Sequence, residues 1–128
     1  MSLLSANKFK PCHWDSVEKA LIPALGDYHQ EAKRQVRLGN EFTFICEGAA
    51  LLIRPEQDEL VIVGFSGRHS LALVAPHVLS VAKRIGAKTL RCHTKRRGEC
   101  RYLNRLGYPF KQAFVNGEYV LRMVINGR

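Results

Sequence analysis

Hydrophobic positions along the chain change period several times, and each change marks an element. Trp14, Val17, Leu21 and Leu25 fall at helical intervals, which predicts a helix with one apolar stripe. Asp15-Ser16-Val17-Glu18 has capping-box spacing, so Asp15 is the expected N-cap and Glu18 the residue that reaches back. Pro23 and Gly26 interrupt the stripe, and a kink or two short helices are expected there. The polar stretch 27–37 reads as a second helix, ended by Gly39-Asn40. Ahead of both, residues 3–9 suggest a short edge strand.

From residue 41 the period drops to two. EFTFICEG alternates, GAALLIRPEQ supplies a second apolar run, and LVIVGF is apolar throughout, as in a strand buried on both faces. Short polar turns join the three, which predicts an antiparallel meander. Pro76 then suits the first turn of a helix, and Val78, Val81, Ala82 and Ile85 give that helix one buried stripe. Lys83 and Arg84 suit its C-terminal dipole and Gly86 its cap. TLRCHT is the next strand, and strand–helix–strand implies parallel pairing. Residues 98–106 read as a short helix with Tyr102, Leu103 and Leu106 on its buried side, ended by Gly107. FKQAFV and EYVLRMVI flank Asn116-Gly117, a strong hairpin signal. The order describes one α/β domain over 1–128: a central, twisted mixed sheet, helices on both faces, and a C-terminal hairpin.

Charge narrows the partners. The 128 residues carry 20 Lys+Arg against 11 Asp+Glu, a net charge of +9. That balance favours a polyanion: nucleic acid, a phosphorylated cofactor or an acidic protein. No apolar run approaches the roughly 20 residues of a membrane span, and MSLLSANKFK lacks the apolar region of a signal peptide. A cytoplasmic chain with four reduced cysteines is expected, since Cys12, Cys46, Cys92 and Cys100 form no CxxC pair. Cys12-His13 and Cys92-His93 are adjacent pairs without finger spacing, so no metal is expected.

A few side chains carry candidate chemistry. Glu59, opening the central strand, suits a general base, or else a solvated carboxylate of the PEQDE turn. His93 ends its strand where α/β sheets bind ligands, and suits either a base or a structural histidine. Cys92 and Cys100 read as packing residues. Arg97, Arg101 and Arg105 recur at i, i+4 and i+8, and Lys95 and Arg96 extend this ridge. It can meet phosphates, of a cofactor or of nucleic acid, or form a solvated helix face.

The segment RRGECRYLNRLGY closes on Leu106-Gly107-Tyr108. It resembles the fourth motif of the GNAT family of N-acetyltransferases, a helix reading approximately N-x-x-A-x-x-L-Y-x-x-L-G-F. IGAKTLRC resembles the G-A-K-x-L that leads into that family's fifth strand. The resemblance covers most of the chain as an element order and residues 85–108 in its letters. It implies acyl-CoA-dependent N-acyltransfer, with acetyl-CoA gripped between splayed fourth and fifth strands and an amine as acceptor. Cofactor contacts would then fall at Val61 and Val63 and on the loop Ser66, Gly67, Arg68, His69 and Ser70.

Two departures qualify that implication. The family's acid tyrosine falls at Leu103, with Tyr102 one place earlier and about 100° around the helix. Tyr102 joins Glu59 and His93 as a catalytic candidate on that basis. The family's pyrophosphate loop, Q/R-x-x-G-x-G/A, has His69 and Leu71 at its glycine positions. Side chains there obstruct the approach of backbone N–H groups to phosphate. Weak or lost acyltransfer is expected, the alternative being a non-catalytic GNAT-fold protein that binds nucleic acid or a protein partner. The texture is also similar to small GNAT-like proteins of bacteriophages, some of them virion-associated.

Overall fold

A computed structural model describes residues 8–67 and 70–125. Seven strands are hydrogen-bonded in the order β1-β2-β3-β4-β5-β7-β6. They are β1 (Lys10–Pro11), β2 (Phe42–Cys46), β3 (Ala49–Glu56), β4 (Glu59–Ser66), β5 (Thr89–Thr94), β6 (Lys111–Val115) and β7 (Glu118–Val124). The helices are α1 (Trp14–Leu25), α2 (His29–Arg37), α3 (Leu71–Arg84) and α4 (Glu99–Arg105), with a 3-10 turn at Gly26–Tyr28. Among the described strands only β4 and β5 pair in parallel; the other neighbours are antiparallel. Most of the strand expected at 3–9 lies outside the described residues, and pairing begins at Lys10.

Each face of the sheet carries its own core. Trp14, Val17, Leu21 and Leu25 of α1 and Ala32 of α2 pack on Ala50 and Leu52. On the other face Val74, Val78 and Ala82 of α3 and Leu103 of α4 pack on Leu51, Leu60, Ile62, Leu90 and Leu121. The run LVIVGF needs no polar face because β4 lies in the middle of both layers.

Local chemistry moved several expected boundaries. His13 is the N-cap of α1 and Asp15 sits inside the first turn, where its charge still complements the dipole. Pro23 lies within α1 without splitting it, because the helix has only two more residues before Gly26 closes it with an N–H bond to Ile22 O. Helix α3 starts at Leu71, so Pro76 is interior rather than first-turn. Burial of Leu71 and Val74 against the sheet fixes that earlier start. The stripe is Val74, Val78 and Ala82, while Ile85, the C-cap, is 52% exposed. Gly86 then ends the helix as expected, at φ 81°. Its N–H reaches Lys83 O at 3.1 Å and that of Ala87 reaches Ala82 O at 2.9 Å, which is the Schellman pattern. In α4 the buried line is Cys100 and Leu103; Tyr102 and Leu106 are each 40% exposed, because seven residues offer the core one narrow edge.

A bulge positions the site. The β3–β4 register runs Leu52↔Gly64, then Ile53↔Ile62, leaving Val63 as an extra residue on β4. The last β4–β5 pair is Ile62↔Cys92, although β4 continues to Ser66 and β5 to Thr94. A bulge bends its strand and sharpens the twist. The two strands therefore part at the residue where β4 bends.

Candidate active site: an opening through the sheet

The gap between the ends of β4 and β5 leads into a cavity on each face. On the α1 face, Ala20, Pro23 and Ala24 roof a cavity of about 160 Å³ above Ser66 and Thr94. Beside it, a cavity of about 170 Å³ is lined by Tyr28, Arg54, Val63 and Glu118 among others. On the α3 face, Leu71, Val74, Leu103 and Tyr108 help enclose an apolar space of about 50 Å³. Phe65, His93 and Glu99 line both the 160 Å³ cavity and the apolar one, so these three side chains border both faces of the gap.

His93 is held at both ring nitrogens. Its Nδ1 lies 2.9 Å from Glu118 Oε2, and Arg91 Nε donates to its Nε2 at 3.1 Å. Arg91 continues the network, donating to Glu59 Oε1 at 2.8 Å and to Glu56 Oε1 at 3.3 Å. Arg54 binds Glu56 at 2.6 Å and the fully buried Glu41 at 2.7 Å. Tyr28 donates its phenol to the same Glu41 oxygen at 2.5 Å. Burial, that bond and the Glu41 charge push the Tyr28 phenol up to about 12.

Glu99, like Glu118, is a titratable group that sequence reading passed over. It opens α4, its side chain is 10% exposed, and Thr94 Oγ1 donates to its Oε1 at 3.3 Å. Burial pushes its carboxyl up against the pull of Arg96 and the Thr94 bond. No motif marked it; the signal was an acid one helical turn before the apolar Leu103, at the mouth of a parallel strand.

No protein-family model matches the chain, and no curated protein sequence matches it. Solved structures do. An aminoglycoside 6'-acetyltransferase type Ii superposes with TM-score 0.64 at 11% identity, covering 94% of this chain and 98% of that one. An acetyltransferase from Bacillus subtilis, solved in complex with CoA, gives TM-score 0.60 at 15% identity over 92% and 95% of the two chains. The ribosomal-protein-S18-alanine N-acetyltransferase from Escherichia coli gives TM-score 0.60 at 12% identity over 92% and 93%.

The fold is that of the GNAT acetyltransferases.

Within that GNAT fold the candidates named from sequence fall in different places. His93 lies at the junction of the two faces. Glu59 lies at the opposite, paired end of β4, bound by Arg91, Thr89 at 2.9 Å and Arg122 at 2.8 Å. Burial pushes its carboxyl up, but the bonds from Arg122 and Thr89 and the nearby guanidinium charges outweigh this and hold it below the usual range. Tyr102 points outward from α4 and does not line the opening, because the buried edge of the helix is one residue away at Leu103.

Of the cofactor candidates, Ser66 lines the 160 Å³ cavity and Val63 the neighbouring one. Val61 is fully buried and lies in the paired part of β4, opposite Arg91. Gly67 packs against Ala49, and Ser70 N donates to Gly67 O at 2.7 Å to start α3. Arg68 and His69 lie outside the described residues. Leu71 turns inward to the apolar cavity.

Lys95 leaves the basic ridge: a methyl group on Gly26 would meet its Nζ at 2.5 Å, so the side chain crosses to the end of α1. Arg96, Arg97, Arg101 and Arg105 are exposed. The four cysteines are unpaired, and burial pushes the Cys92, Cys46 and Cys12 thiols up, away from nucleophilic use. Among the described residues, no group of three or more His, Cys, Asp or Glu could hold a metal ion. No described helix is long and apolar enough to cross a membrane.

Proposed function

We propose that this chain transfers an acyl group from acyl-CoA to an amine, with CoA entering from the α3 face and the amine from the α1 face. The observation that carries this reading is the opening between β4 and β5, which joins cavities on both faces at Phe65, His93 and Glu99. Beyond Ile62 the edge of β4 that faces β5 has no strand partner. Backbone groups left there suit the amides of a pantetheine arm. The N-terminus of α3, with Ser66 and Ser70 beside it, suits the pyrophosphate. Bound acyl-CoA would supply the activated thioester.

The chain's own residues then position and accept protons. Glu118 and His93 face the amine's side, and Glu118 Oε1 is the oxygen that His93 leaves open. That oxygen orients the amine and receives its proton. His93 Nε2 serves as base only when Arg91 turns away, since Arg91 Nε–H occupies it. Catalysis is otherwise alignment of amine and thioester. His69 at a family glycine position makes the affinity for CoA weak. A bacteriophage origin, which the sequence texture suggests, would leave this chemistry unchanged. Isothermal titration with acetyl-CoA is the test: saturable binding with Kd above about 1 μM is expected, and an absence of saturable heat sinks the reading.

The second reading is a non-catalytic GNAT-fold protein that binds nucleic acid or an acidic protein partner. Exposure of Arg97, Arg101 and Arg105, with no acidic residue paired to them among the described residues, favours it. Binding of DNA or RNA by a chain that ignores acetyl-CoA would select it.

A further inference from the structure

The opening holds one carboxyl group whose position the proposed transfer does not yet use. Glu99 borders the cavities of both faces. Its two polar contacts, Thr94 Oγ1 at 3.3 Å and Arg96 Nη1 at 4.0 Å, both fall on Oε1. Among the described residues Oε2 has no hydrogen-bond partner, and it is not fully buried. One oxygen is anchored and the other is without a partner among the described residues, on a side chain that borders both cavities.

We propose that Glu99 is the general acid of the reaction, its Oε2–H delivering a proton to the thiolate that leaves when the acyl group is transferred. The inference rests on the acyl-CoA reading above. The amine nitrogen forms a bond to the thioester carbonyl carbon, and the carbon–sulfur bond breaks with its electron pair going to sulfur. The ammonium proton passes to the Glu118–His93 side. The Glu99 proton passes to sulfur, giving a free thiol, and solvent restores it through the α1-face cavity. No oxidant or further reactant is needed.

The surroundings support this division of labour. Burial keeps the Glu99 carboxyl protonated to higher pH than an exposed glutamate, while Arg96 and Thr94 oppose that only in part. His93, Lys95 and Arg96 are the other ionisable groups lining the same cavity. At the same junction His93 leans on a carboxylate instead. A buried carboxyl and a carboxylate-bound imidazole that border one junction supply the two proton-handling groups the transfer needs. Leu103, one turn along the same edge of α4, is buried and carries no proton.

The test uses the whole chain, acetyl-CoA as donor and hydroxylamine as a small probe nucleophile, with thiol release as the signal. Glu99→Gln keeps the shape and removes the proton. Isothermal titration of CoA should give the same Kd within about twofold for both proteins. The variant's kcat should fall roughly a hundredfold, the lower range for a lost general acid, with KM for acetyl-CoA unchanged. The alkaline limb of the wild-type kcat profile should vanish in the variant. Glu99→Ala, with a melting curve as the folding check, should repeat the kcat loss. A kcat within twofold of wild type, or a change confined to KM, overturns the role of Glu99 and leaves the acyl-CoA reading standing. Wild-type protein that binds CoA yet releases no thiol also overturns it. Wild-type protein that binds no CoA removes both.

Discussion

His93 Nδ1 lies 2.9 Å from Glu118 Oε2, and this contact fixes which end of the imidazole carries the proton. Arg91 Nε can only donate, and it points at Nε2 from 3.1 Å. Nε2 is therefore the acceptor and Nδ1 the donor. Nitrogen-15 NMR of the free protein near pH 7.5 should show His93 in the Nδ1–H form. Finding the proton on Nε2 would mean that the Arg91 contact is not made in solution. Glu118→Gln, which removes the carboxylate but keeps the size, should lower acyl transfer to hydroxylamine by about ten- to a hundredfold.

Glu59 makes the opposite use of charge. Its carboxyl is held low by Arg122, Thr89 and Arg91, despite burial. A depressed folded pKa gives stability above the unfolded value of about 4.3, and that stability is lost as pH falls through the folded value. Glu59→Gln should thus melt below wild type at pH 7, with the gap closing below about pH 4. Its acyl transfer should stay within twofold, because the candidate site is at the other end of β4. A large loss of transfer with unchanged melting would restore Glu59 as a catalytic base.

Arg54 carries a heavier structural burden. Glu41 has no exposed side-chain surface and takes its charge partner from Arg54 at 2.7 Å. Removing one member of a buried pair leaves an uncompensated charge and costs about 3–5 kcal/mol. Arg54→Ala should be destabilised by that amount in urea unfolding. Adding Glu41→Gln should recover much of it, since the stranded charge goes too. If Arg54→Ala unfolds with less than about 1 kcal/mol of change, the pair behaves as an exposed one.

The arginines of α4 and the turn before it separate surface from core. Replacing Arg97, Arg101 and Arg105 together with glutamine should barely move the melting temperature, since exposed charges contribute about 0–1 kcal/mol each. Binding to DNA or RNA, if present, should weaken, and its salt slope should become shallower by about one unit per lost phosphate contact. Unchanged binding with the same slope makes the ridge a solvated face. Unfolding would show that the arginines brace the helix.

Periodicity made the strands and their pairing legible. The three-stranded meander, the parallel β4–β5 pair and the Asn116-Gly117 hairpin all follow from local rules, and Asn116 and Gly117 take the positive φ values of 50° and 82° that such a turn demands. Helix starts were harder to read. Pro76 gave a false beginning because its tolerance for a first turn says nothing of the buried Val74 upstream. In the candidate site His93, Ser66 and Val63 were legible, because strand ends place them at the opening. Glu99 and Glu118 come from α4 and β7, and their approach to β5 depends on the bulge at Val63 and on the β5–β7 register. Neither can be counted along the chain.

An opening that pierces a sheet has a doorway on each side, unlike a groove along an edge. Traffic through it need not queue. In the proposed transfer each substrate reaches the junction by its own doorway, so neither has to depart before the other arrives, and order of addition is unconstrained. Kinetics of a ternary complex follow from that alone. Plots of reciprocal rate against reciprocal donor concentration, at several amine concentrations, should intersect rather than run parallel. The bend at one residue of β4 would then decide the rate law as well as the shape.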